Sequence, residues 1–521
     1  MKRRKFLQSS AALSIPVALN GMSVAHLPYL APLGNLEEES DRVLVLVQLI
    51  GGNDGLNTLI PLDKYDRLME LRGDIMMPQS QVLGIDNDMG LHPQLSGLKS
   101  LYEEAQIGIV QDVGYPNQNR SHFRSTDIWT SASAATDLEA TGWMGRYFDE
   151  AAPGFPEAYP NPDNPDPFAL AIGNTISATC QGVVANYSMA INDPSSISTL
   201  VESEGGSLPN NYYGKQLAYL RNTITQSNAY SVVLREAAEK GMNQSSLYPE
   251  KGANKLADQL KTVAQLIAGG LKTKVYVVSL GGFDTHSDQV IDGDPTQGRH
   301  ATLLDTLSEA ITAFQDDMNL LGLNERVLGM TFSEFGRRIR SNGSFGTDHG
   351  TAAPLLLFGN CVQSGILGTS PEIGAEVGVQ TGIEMQFDFR DVYGSLLQDW
   401  FGLEVETIQQ VLFPDYQYLP LVNDCSSLST STSNYWLERS VEIYPQPARD
   451  HLRIQFTNPN PGPGILLIHD LQGRLLKSYQ LGNLPKGEHS IPLRVNDLPS
   501  GTYLLRLRLG DTQVSLPFLK H

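Results

Sequence analysis

Residues 274–289 read KVYVVSLGGFDTHSDQ. A continuous apolar run of strand length ends in two glycines, and Asp284 and His286 follow two positions apart. An apolar run without alternation reads as a strand buried on both faces, as in a parallel sheet. In extended backbone, residues i and i+2 project to the same side. Asp284 and His286 therefore suit a pair of metal ligands, and they equally suit a plain turn.

The surrounding sequence extends the pattern. Upstream, Leu256, Leu260, Val263 and Ile267 keep helical spacing over 254–268 until Gly269-Gly270 stops the helix. Downstream, Leu304, Leu307, Ile311, Phe314 and Met318 mark a second helix, followed by RVLGMTF (326–332). RVLVLVQLI (42–50), AQIGIVQDVG (105–114) and TAAPLLLFG (351–359) are further apolar runs. Helices alternating with buried strands predict an α/β domain with a mostly parallel sheet covered on both faces. In such sheets ligands sit beyond the carboxyl ends of the strands. Polar residues gather at these ends: Asp54 after the first strand, Ser121 and His122 after the second. Asp284 and His286 follow the third and Glu334 the fourth, while Asp348 and His349 precede the last apolar run. Outside the export segment and the C-terminal region the chain has five histidines, His92, His122, His286, His300 and His349, and three lie in these loops. Carboxylates with a minority of imidazoles suit a divalent cation: Zn, Mn, Ca or Mg. Ser121 also suits a helix N-cap, Glu334 an ion pair with Arg337 or Arg338, and Trp129 and Trp143 the core.

Length and charge set limits. With 521 residues the chain exceeds one ordinary core. A net charge of -20 argues against nucleic acid as partner. Three widely spaced cysteines form neither a disulfide framework nor a zinc ribbon, and at most one pair can bridge. The N-terminus, MKRRKFLQSSAALSIPVALNGMSVAHL, sets basic residues before a modestly apolar segment too short and polar to span a bilayer. Residues 1–25 read as a signal peptide, and Arg3-Arg4-Lys5-Phe6-Leu7 resembles the twin-arginine export signal. CSSLSTSTSN lies in a Ser/Thr-rich linker, 423–438. Beyond it HLRIQF and LLRLRLG alternate with period two between turn residues, which predicts a small antiparallel sandwich over 439–521.

That last segment, through VEIYPQPARDHLRI, LLIHDLQGRLL, LPSGTYLLRL and the basic Lys520, resembles the type A C-terminal sorting domain of type IX secretion. The resemblance implies export machinery engaging both termini and delivery to the cell surface or medium. Residues 40–422 resemble the DUF1501 family, through VQLIGGNDGLNTLIP, NRSHFRSTDIW, GWMGRY, GGFDTHSDQ and TFSEFGRRIRSNGSFGTDHGTAAPLLLFG. That family is placed by fold with the alkaline phosphatase and sulfatase superfamily. The resemblance implies a doubly wound, alkaline phosphatase-like sheet, and a cation held by Asp54, Asp284, His286, Glu334, Asp348 and His349. It implies Ser121 as nucleophile, with Ser125 and Thr126 as rivals and His122 as acid or base. Arg120, Arg124 and Arg337 would grip an anionic ester of a small molecule or glycan. Where two-metal relatives carry Asp-His, this chain carries Glu334-Phe335, which keeps a non-catalytic binding protein for glycan or cell-envelope material in view as the rival reading.

Overall fold

The computed structural model describes residues 41–194, 208–412, 416–423, 441–458, 462–469, 475–496, 498–509 and 512–521. The twin-arginine segment and most of the Ser/Thr-rich tract lie outside them. The chain divides into two compact units between Asp424 and Cys425.

The first unit is built on a nine-stranded sheet. In chain order its strands are β1 (Val43–Ile50), β2 (Ile107–Gly114), β3 (Ala169–Ile172), β4 (Ser188–Ile191) and β5 (Val275–Gly281). They continue with β6 (Val327–Phe332), β7 (Ala353–Phe358), β8 (Gly365–Leu367) and β9 (Phe387–Asp388). The spatial order is β8-β2-β7-β6-β1-β5-β3-β4, with β9 also on β2. Strands β6, β1 and β5 are parallel neighbours at the centre, and every residue of β6 is buried. Helices α2 (Lys255–Ala268) and α3 (Arg299–Leu321) bury the apolar faces their spacing predicted against this sheet, in one cluster with Val45, Val47, Tyr276 and Val278. A 29-residue helix, Tyr212–Lys240, carries no comparable stripe and is not evident in the sequence.

Among the described strands of this sheet, only β7 runs against its neighbours, β2 and β6. No helix separates it from β6, so the chain turns back instead of crossing over. That reversal positions the site. The loops leaving β6, β1 and β5 emerge at one edge, and the loop entering an antiparallel β7 arrives at the same edge.

Among the described residues the second unit holds two antiparallel sheets, one of three strands including His451–Asn458, the other of four including Gly501–Leu509. Leu452, Ile454 and Phe456 of the first share a core with Leu466, Leu505 and Leu507 of the second. Cys361 is disulfide-bonded, while Cys180 is buried and free.

Candidate metal centre

Two glycines let the strand-end loops close on one another. Gly51 and Gly52 have φ of 125° and 84°, and a Cβ on Gly51 would lie 2.2 Å from the Asp284 backbone nitrogen. A Cβ on Gly52 would lie 2.4 Å from the Phe335 ring. The buried Arg337 side chain then ties the loops together through the carbonyls of Gly51, Gly52, Phe283 and Thr347, and reaches Asp284 Oδ1 at 2.8 Å.

Around Asp284 three imidazoles converge. His286 Nε2 and His349 Nε2 stand 3.2 and 3.3 Å from Asp284 Oδ1, and His122 Nε2 stands 3.5 Å from Asp284 Oδ2. His122, Asp284 and His349 each offer one ligand atom, all within 4.8 Å of one another. The two nitrogens His286 Nε2 and His349 Nε2 are 2.8 Å apart. The opposite nitrogen of every ring is anchored. His122 Nδ1 meets Glu334 Oε1 at 2.7 Å, His286 Nδ1 meets Asp348 Oδ1 at 2.9 Å, and His349 Nδ1 meets the Arg120 carbonyl at 2.8 Å. Nδ1–H donation to these oxygens leaves each Nε2 as a lone pair facing Asp284. Phe335 is buried, with its ring 4.9 and 4.7 Å from those of His122 and His349.

The donor chemistry fits a cation. His122 Nε2 is buried and has no hydrogen-bond partner among the described residues, and two facing imidazole nitrogens at 2.8 Å call for a proton or an ion between them. Three nitrogens and one carboxylate, each held from behind, match what a borderline divalent ion such as Zn²⁺ takes. Burial raises the Asp284 pKa, but the Arg337 hydrogen bond and the neighbouring positive charges outweigh it and hold the carboxyl below its ordinary value. Asp348 is lowered likewise by His286, Asn342 and Arg338 against burial. Burial, with Arg337 and His122 nearby, lowers the His349 pKa.

The expected set therefore sorts into groups. Asp284, His286 and His349 come together, and His122, expected as an acid or base, joins them. Glu334 and Asp348 stand behind His122 and His286. Asp54 is not brought in: buried, it pairs with Arg72 and accepts from Gln289 Nε2 at 2.5 Å. The arginines expected to grip substrate are engaged elsewhere. Arg337 is consumed by four backbone carbonyls from three loops, those of Gly51 and Gly52, of Phe283 and of Thr347. Arg124 binds Asp127 and the Ala134, Ala135 and Asp137 carbonyls past the end of α1 (His122–Ser131), and Arg120 donates to the Gln380 carbonyl. Ser121 is exposed at the N-cap of α1 without a side-chain capping bond. Ser125 is buried against Tyr115 and the Glu334 carbonyl, closing that alternative. Sequence reasoning missed Gln289, Thr285 and Thr347, whose buried side chains join the loop of Asp284 and His286 to that of Asp348 and His349. Their polarity beside ligand residues was the available signal.

Comparison with known proteins adds the context. The chain has no match among curated proteins. A protein of the alkaline phosphatase superfamily from Vibrio parahaemolyticus is 10% identical with TM-score 0.33, covering 99% of this chain and 91% of that one. The PsFucS1 sulfatase from Pseudoalteromonas sp. is 10% identical with TM-score 0.32, covering 86% and 83%. PorZ, a surface component of the type-IX secretion system of Porphyromonas gingivalis, is 17% identical with TM-score 0.14, and the match spans 18% of this chain and 13% of PorZ. At these values the chemistry must be argued from the residues themselves. The secretion system C-terminal sorting domain model matches residues 442–519, which marks the protein for type IX secretion to the cell surface or the extracellular space. The model for the protein of unknown function DUF1501 matches residues 106–412, leaving out β1 and the Gly51–Asp54 loop, and the chain belongs to that family.

Proposed function

We propose that the protein is an exported, divalent cation-dependent hydrolase of phosphate or sulfate esters. One observation carries this reading: His122 Nε2, His349 Nε2 and an Asp284 oxygen lie within 4.8 Å of one another, His286 Nε2 stands 2.8 Å from His349 Nε2, and each ring donates a hydrogen bond from its Nδ1. His122, Asp284, His286 and His349 would hold the cation, with Glu334, Asp348 and the Arg120 carbonyl orienting the rings. A cation there supplies Lewis acidity toward an ester oxygen and toward water.

The protein's own groups do the rest. With a single carboxylate among the residues that would hold it, a divalent cation would leave one positive charge on the ligand set. Arg337 and Arg338 match Glu334 and Asp348 in number behind it, so the site would attract an anionic ester although Arg120, Arg124 and Arg337 are engaged elsewhere. Phe335 closes one side and excludes water from the rings of His122 and His349. Arg337 holds Asp284 ionised and in place. Ser121, exposed one residue before His122, is the protein nucleophile this arrangement leaves open; attack by water is the alternative.

The test is a panel of aryl phosphate and sulfate esters with added Zn²⁺, Mn²⁺ or Ca²⁺. Asp284→Ala and His349→Ala should each lower kcat/KM by more than about 100-fold and abolish tight cation binding. Ser121→Ala separates the nucleophiles, since only serine attack is lost with it. Cation retained by wild type with no turnover on any ester would select the binding-protein reading.

A further inference from the structure

We propose that Gln289 is the positioning residue of this centre, a buried amide that sets the spacing between the two loops carrying most of its ligands. The inference rests on the cation reading above. Gln289 Oε1 accepts from Thr285 Oγ1 at 3.0 Å and from Thr347 Oγ1 at 2.6 Å. Thr285 lies between Asp284 and His286, and Thr347 directly precedes Asp348 and His349. On its other side Gln289 Nε2 donates to Asp54 Oδ2, which Arg72 also engages. Gln289, Thr285 and Thr347 are fully buried, and Asp54 nearly so. The backbone follows the same path: Thr347 N–H donates to the Thr285 carbonyl at 3.1 Å, and Gln289 N–H to the Phe345 carbonyl at 2.9 Å.

Only an amide satisfies all three partners. It must present an acceptor to two hydroxyls and a donor to a carboxylate, from one planar group. A glutamate would set one carboxylate against another. An apolar replacement would leave two hydroxyls unpaired in the interior, each at a desolvation cost, and would leave Asp54 to Arg72 alone. The ligand geometry depends on this spacing, because His286 Nε2 from one loop and His349 Nε2 from the other are only 2.8 Å apart. Metal centres tolerate about 0.5 Å of misplacement before affinity suffers. Asp54 thus acts on the site from beneath, through Gln289, and touches no ligand atom itself.

The experiment uses the full secreted chain and Co²⁺ as probe, read by titration, by its visible absorption, and by hydrogen exchange without metal. Gln289→Met should weaken Co²⁺ binding by about 10–100-fold and change the absorption band. It should also speed exchange in 283–290 and 344–350 without speeding it in the central strands. Asn254→Ala, which removes a buried polar side chain capping α2, should lower the unfolding midpoint yet leave Co²⁺ affinity within about twofold. If Gln289→Met does not fold, Gln289→Glu, which keeps the acceptors and loses the donor, is read in its place with the same expectations. Wild-type Co²⁺ affinity and unchanged exchange in both loops would overturn the proposal, as would an equal loss of affinity in Asn254→Ala. If wild type binds no Co²⁺ the hydrolase reading falls, and the exchange measurement alone decides whether Gln289 spaces the loops. If Co²⁺ binds but no ester is turned over, catalysis fails and the positioning role stands.

Discussion

Glu334 is buried, and one oxygen serves two donors: His122 Nδ1 and the Gly51 backbone N–H at 2.9 Å. An anionic acceptor behind an imidazole raises its basicity and fixes its tautomer, so Glu334→Gln should weaken cation binding by about 10–100-fold while the fold survives. Calorimetric titration with Zn²⁺ measures this, and unchanged affinity would remove His122 from the ligand set. The neighbouring Phe335, which cannot ligate, is the wall against which the His122 and His349 rings pack. The sequence told that Phe335 was no ligand; its use as a wall was not legible, because the rings it supports lie on loops more than ten residues away in either direction. Ser121 shows the converse, since its place at a helix start was readable and its chemistry still depends on the experiment above.

At the scale of elements, β2 carries the irregularity that matters most. Its pairing with β7 shifts register between Ala353 and Leu355, and Asp112 on β2 takes φ of 49°. Burial pushes the Asp112 carboxyl up to about 7, against the lowering effect of its bond from Gln386. Between about pH 4 and 7 the folded protein keeps a proton that the unfolded chain has released, so this group's contribution to stability falls as pH rises through that window and levels off above it. Asp112→Asn keeps the shape, tolerates the left-handed backbone and removes the titration. Urea unfolding at pH 5 and pH 8 should show the variant gaining on wild type toward alkaline pH, by on the order of a few kcal/mol at most. An advantage independent of pH would contradict the assignment. Strands β1, β2, β5, β6 and β7 were legible from apolar runs, whereas the short β3, β4, β8 and β9 were not. The reversal of β7 was not, because strand direction follows from the absence of a crossover helix and not from the strand's own residues.

At the scale of the molecule, the two units carry separate tasks. Removing residues 439–521 should leave cation affinity and turnover of the first unit within about twofold, since its core is its own, yet keep the protein from the cell surface. Fractionation with and without the segment measures this; normal surface delivery would overturn the sorting role. Replacing Arg3-Arg4 by Lys-Lys tests the twin-arginine reading in the same way, by retention in the cytoplasm. Two aspartates show where local reading ends. Asp54 and Asp284 both follow an apolar strand and a pair of glycines, and only the histidine two positions after Asp284 separates them in sequence. Composition, period and turn residues were enough for the α/β sheet, the C-terminal sandwich and the rim where polar residues gather, because burial pattern and chain reversal are local properties. Which polar residues share a centre was decided only by tertiary structure. Arg72 and Gln289 draw Asp54 into the interior, while Arg337 and three imidazoles from separate loops surround Asp284, and a side chain's partners are set by packing between segments up to hundreds of residues apart.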